Sequence, residues 1–132
     1  MKLALASMLG LLINLAPAQA ASDMRTEDVV LPASGSTSLK GKIKGGQTVR
    51  YALRVPAPGE YAVALKTGNT SAYVNISRAG KDEALHVGAM AGNSFKGRLP
   101  EAGDYTLTVY LMRSAARRGA TASYTLQVAR ER

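Results

Sequence analysis

Val55-Pro-Ala-Pro-Gly-Glu-Tyr-Ala-Val-Ala-Leu65 and Leu99-Pro-Glu-Ala-Gly-Asp-Tyr-Thr-Leu-Thr-Val109 are one pattern written twice. Each reads apolar, Pro, two residues, Gly, acid, Tyr, then alternating apolar positions. Proline cannot donate to a β-ladder, so a strand ends there. The glycine permits a tight turn, and a new strand starts with Tyr on its apolar face. The device passes the chain from one sheet to another. Each Tyr ring is then expected in the core, with its hydroxyl reaching a backbone group or water.

Around these repeats, short alternating runs recur between turn residues, and no helical period persists. Leu39 and Ile43 share one face of Ser36–Lys44. Val49, Tyr51, Leu53 and Val55 alternate with Arg50, Ala52 and Arg54. Similar runs lie at 73–77, 85–89 and 95–99. Tyr105, Leu107, Val109 and Leu111 line the longest run, and Tyr124, Leu126 and Val128 the last. This amounts to about eight strands. One apolar face per strand describes antiparallel sheets covered on one side. The predicted fold is therefore all-β, an antiparallel, jelly-roll-like β-sandwich.

The first residues follow a different rule. Lys2 precedes an apolar run from Leu3 to Leu15, then Pro17 and a small-x-small site at Ala18-Gln19-Ala20. That is the layout of a secretory signal peptide. The run is shorter than the roughly 20 residues needed to span a bilayer, and no later segment is apolar enough to do so. The expected organisation is a signal peptide at 1–20, a lead-in at 21–35 and the sandwich at 36–132, with export to the periplasm. There is no cysteine, so packing and hydrogen bonds must hold the domain together.

The catalytic inventory is thin. The one histidine, His86, sits in a strand run and is expected to face solvent. Acids adjoin only as Glu27-Asp28 and Asp82-Glu83, and strand neighbours point to opposite faces. No phosphate-binding glycine loop, nucleophile elbow or metal-ligand spacing is present. The chain reads as a binding protein, with no enzyme activity, metal or cofactor expected.

Without Lys2, the chain carries 16 Lys and Arg against 9 Asp and Glu. Such a balance favours anionic partners. Nucleic acid is disfavoured, because there is no Trp, one Phe, and most Tyr are expected inward, leaving no stacking platform. The excess concentrates near the C-terminus. Between the last two strands, Arg113-Ser114-Ala115-Ala116-Arg117-Arg118 is longer than a hairpin needs. A helical turn there would put Arg113 and Arg117 on one side, suited to gripping carboxylates.

At these residues the chain resembles the periplasmic inhibitors of g-type lysozyme. The resemblance rests on Leu99-Pro-x-x-Gly103-x-Tyr105-x-Leu107-x-Val109, Arg113-x-x-Ala116-Arg117, and Tyr124. The Pro–Gly–Tyr part is shared with a wider set of sandwiches resembling the pre-peptidase C-terminal domain. The resemblance implies a protein that plugs the acidic cleft of a host muramidase, with Arg113, Ser114, Ala116, Arg117 and Arg118 as the contact residues. It departs at Gly45-Gly46-Gln47-Thr48, where family members tend to carry Tyr and Asp. The alternative from the wider set is an envelope module that binds cell-wall glycan without inhibiting anything.

Overall fold

The computed structural model describes residues 23–131; the expected signal peptide lies outside them. Nine strands form among the described residues. They are β1 (Met24–Val29), β2 (Ser36–Lys44), β3 (Thr48–Val55), β4 (Gly59–Thr67), β5 (Ala72–Arg78), β6 (Ala84–Val87), β7 (Ser94–Leu99), β8 (Gly103–Leu111) and β9 (Thr121–Arg130). Two short helices interrupt them, α1 (Gly88–Ala91) and α2 (Arg113–Arg117).

One sheet has the order β1-β3-β8-β5-β6 and the other β2-β9-β4-β7. The antiparallel pairs β2·β9, β3·β8, β4·β7 and β5·β6 are nested like one long hairpin rolled over itself. That is the jelly-roll arrangement. Both Pro–Gly–Tyr repeats switch sheets as the sequence implies: the first between β3 and β4, the second between β7 and β8. The alternating apolar sets meet between the sheets, where Leu53, Val74, Ile76, Leu107 and Leu126 are fully enclosed. Each such side chain contributes about 2 kcal/mol by leaving water.

The two repeats differ at their hydroxyls. Tyr105 donates to the Glu101 carbonyl at 2.7 Å and accepts from the Glu101 N–H at 3.2 Å, closing a tyrosine corner. Tyr61 is equally buried, yet its hydroxyl makes no hydrogen bond among the described residues. Pro58 stands where the second copy has Ala102, and proline restricts the residue before it. Tyr105→Phe is therefore expected to cost about 1 kcal/mol, whereas Tyr61→Phe should cost nothing measurable. Paired thermal melts check this.

Beyond the eight strands expected, the 21–35 segment contributes β1, which pairs in parallel with β3. The register puts Arg25 and Glu27 on the same side as Val49 and Tyr51, and they pair at 3.2 Å. Inward-facing charge on an edge strand deters pairing with further chains. Behind that pair, the Tyr51 and Tyr124 hydroxyls are hydrogen-bonded at 2.6 Å. Gly41 sits directly under the Tyr124 ring, where a Cβ would collide with it.

Burial, reinforced by the Tyr51 hydrogen bond, pushes the Tyr124 phenol far above its ordinary value of 10.0. In the unfolded chain this phenol ionises first. Its contribution to stability is thus complete below pH 10 and is lost as pH rises beyond it. Melting temperature is expected to fall as pH rises above about 10, and to fall less in a Tyr51→Phe/Tyr124→Phe variant.

His86 departs from expectation. His86 lies opposite Ile76, on the inward side, in the same register that pairs Asn75 with Val87. Its Nε2 lies 2.7 Å from the Gly92 carbonyl, and its ring meets Phe95 edge-on at 5.5 Å. Leu85 takes the outward position instead. His86 therefore covers one margin of the core.

Candidate functional site

The strand directions gather one set of loops at one end of the sandwich. These are the β2–β3 turn, the β4–β5 loop, the α1 segment and the α2 segment. The α2 segment is the most elaborate. Arg113–Arg117 makes a single helical turn, favoured by its alanines. It ends in a Schellman motif: Ala120 N–H bonds the Ala115 carbonyl at 3.1 Å and Gly119 N–H the Ala116 carbonyl at 3.0 Å. Gly119 takes the positive φ of 68° that this ending requires.

The turn is anchored on three sides. Ala115 is buried and Ala116 packs partly against the core. Met112 N–H donates to Ser71 at 2.8 Å, and Gly45 N–H donates to Ala120 at 2.8 Å. Asn69 Nδ2 holds the Thr121 carbonyl at 3.1 Å. The loop is thus fastened to both neighbouring loops, and its exposed side chains stand on a fixed base.

Arg113, Ser114, Arg117 and Arg118 are all exposed. Arg113 and Arg117 begin and end the turn, four residues apart and on one side of it. Neither has an ion-pair or hydrogen-bond partner among the described residues. Ala116 is different from the other expected contact residues, since it props the turn against the sandwich. The β2–β3 turn beside it carries no aromatic group. It is short, closed by the Gln47 side chain on the Lys44 N–H at 2.9 Å.

Sequence reasoning overlooked the aromatic groups at this end. Tyr73 and Tyr110 face outward from the five-stranded sheet, with ring centroids 6.2 Å apart. Tyr110 follows Val109 and so occupies the parity opposite to the core residues; that alternation was the available signal. Its hydroxyl donates to Asn75 Oδ1 at 3.3 Å. Partial burial raises its pKa, the Asn75 bond opposes the rise, and Tyr73 adds to it. Met90 on α1 and Met112 beside α2 are also exposed. Arginine, tyrosine and methionine are the residue types enriched where proteins bind proteins.

No protein-family profile matches the chain, and no curated protein sequence matches it. Solved structures do. Aeromonas hydrophila PliG, a periplasmic lysozyme inhibitor of g-type lysozyme, superposes with a TM-score of 0.74 and 29% identity, over 82% of this chain and 97% of that one. Salmonella Typhimurium PliG gives 0.62 and 20%, over 81% and 98%. The pre-peptidase C-terminal domain of Bacillus anthracis collagenase gives 0.54 and 15%, over 82% and 94%, a likeness of fold alone. The chain resembles the periplasmic inhibitors of g-type lysozyme, within a wider set of sandwiches that includes the pre-peptidase C-terminal domain.

Proposed function

We propose that the protein is exported to the periplasm and inhibits a g-type lysozyme by seating the α2 end of its sandwich in the enzyme's cleft. The observation that carries this reading is the pair of guanidiniums, Arg113 and Arg117, without partners among the described residues and set on an anchored turn. A fixed pair of forks meets carboxylates with little ordering cost. The likeness to the Aeromonas inhibitor, which extends over nearly all of that chain, supports the same target.

Tyr73 and Tyr110 supply aromatic surface close to the β2–β3 turn, where the sequence has none. Val49 pairs with Val109, which puts Thr48 beside Tyr110. On this reading the aromatic anchor of the interface comes from the sheet face. Purified protein assayed against g-, c- and i-type lysozymes should inhibit the g-type enzyme selectively. Failure to inhibit any of them at micromolar concentration would sink the reading.

A further inference from the structure

We propose that the outer face of the four-stranded sheet is a second binding site, a trough for an extended anionic polysaccharide. Three depressions adjoin along β9. The first, about 540 Å³, lies over Gln127 and Ala129. The next lies between Lys40 and Lys66, and the last reaches Thr121 and Asn69 beside the α2 loop. From Thr121 to Ala129 the floor runs roughly 27 Å at the usual rise of a strand.

The register defines floor and walls. One row across the sheet is Ser36, Ala129, Ala62 and Lys96; the next is Ser38, Gln127, Ala64 and Ser94. A third is Lys40, Thr125 and Lys66. Small and hydroxyl-bearing residues form the floor, while lysines stand on both sides. Lys42 and Lys44 extend the wall along β2 at a spacing of about 7 Å. Of the lysines among the described residues, only Lys81 lies off this face. The one carboxylate on the four strands is Glu60, in the last row beside Arg98.

Lysines on an edge strand can serve simply to block aggregation, which accounts for β2. It also covers Lys96 on the other edge strand, β7, but bears less on Lys66, which lies on the interior strand β4, two residues past the stretch that pairs with β7. The outward positions carry no aromatic or large aliphatic residue, so nothing is available to stack bases or enter lipid. Ser38, Ser94, Thr125 and Gln127 instead offer paired donors and acceptors suited to sugar hydroxyls. The occupant that fits is a linear glycan bearing carboxylates. Its site is separate from Arg113 and Arg117, so it does not depend on the inhibitor reading.

Fluorescent polygalacturonate is a suitable probe, with neutral amylose as control. The protein should bind the first at low salt, release it at about 0.5 M salt through screening, and ignore the second. Lys40→Gln/Lys66→Gln/Lys96→Gln should weaken binding at least tenfold. Ala64→Trp fills the floor without changing charge and should do the same. Arg113→Ala/Arg117→Ala should bind as wild type. The proposal is overturned if polygalacturonate does not bind, if Ala64→Trp binds normally, or if the arginine variant loses binding. Melting curves of each variant confirm that the fold is intact.

Discussion

Arg113→Ala/Arg117→Ala should weaken inhibition of a g-type lysozyme by at least about a hundredfold while leaving the melting temperature unchanged. An arginine buried against a carboxylate at an interface is worth about 2 kcal/mol or more when truncated, and two such losses need not add fully. Every 1.4 kcal/mol is tenfold in affinity. Stability should be untouched because both guanidiniums are exposed and have no partner among the described residues. The α2 turn is held by Ala115, the Schellman bonds and Ser71, none of which the substitutions touch.

Arg113→Lys/Arg117→Lys separates charge from shape. Lysine keeps the charge but loses the planar fork, so an intermediate loss of about tenfold is expected. Inhibition constants for the wild type and both variants check this. An alanine variant as potent as wild type would remove α2 from the contact surface and shift attention to Tyr73 and Tyr110.

Asn93→Ala should cost the fold about 3 kcal/mol, a fall of roughly 15 °C in melting temperature for a domain of this size. After Val87 the chain leaves the sheet and turns through α1. The Asn93 side chain takes over the vacated pairing with β5. Its Oδ1 accepts from Val74 N–H at 3.1 Å and its Nδ2 donates to the Ala72 carbonyl at 2.8 Å. Its own carbonyl accepts from Leu65 N–H at 2.8 Å, on the opposite sheet. One residue therefore ties both sheets together. Alanine would leave a donor and an acceptor of two buried residues unpaired, each costing about 1–3 kcal/mol.

Gly88→Ala should do comparable damage by another route. A Cβ at Gly88 would lie 2.5 Å from the Val74 carbonyl and 2.8 Å from Asn93 Oδ1. The segment would have to move away, breaking the bond from Gly88 N–H to Asn75 Oδ1. Gly46→Ala is the control: nothing lies within 4 Å of its Cβ position, so a change within about 0.5 kcal/mol is expected. Denaturant titration of the three variants ranks them.

Much of this architecture is written in period-two alternation. Most strands after β1 could be located because each places one apolar set against the core; the exception is β6, which turns His86 inward and Leu85 outward. β1 could not, because Met-Arg-Thr-Glu-Asp-Val has no such alternation. It is a strand because β3 offers a free edge, and its inward Arg25 and Glu27 satisfy each other. His86 faces inward for a related reason: the short β6 pairs with β5 so that His86 lies opposite Ile76, and period-two alternation then turns Leu85 outward. Asn93 reads in sequence only as half of a Gly-Asn turn. Its role comes from meeting the exposed edge of β5, nineteen residues earlier in the chain.

The paired Pro–Gly–Tyr stretches by themselves marked two of the places where the chain changes sheets, because proline, glycine and an alternating Tyr act through local backbone physics. The sequence also marked Arg113 and Arg117 as a pair, since a spacing of four is a property of one helical turn. Only the tertiary structure decided that β1 pairs along the free edge of β3. It alone put Tyr73 and Tyr110 side by side, and aligned Lys40 with Lys66 across a shared trough. These facts depend on register between strands far apart in the chain. Register is set when whole sheets pack, so no local stretch of sequence records it.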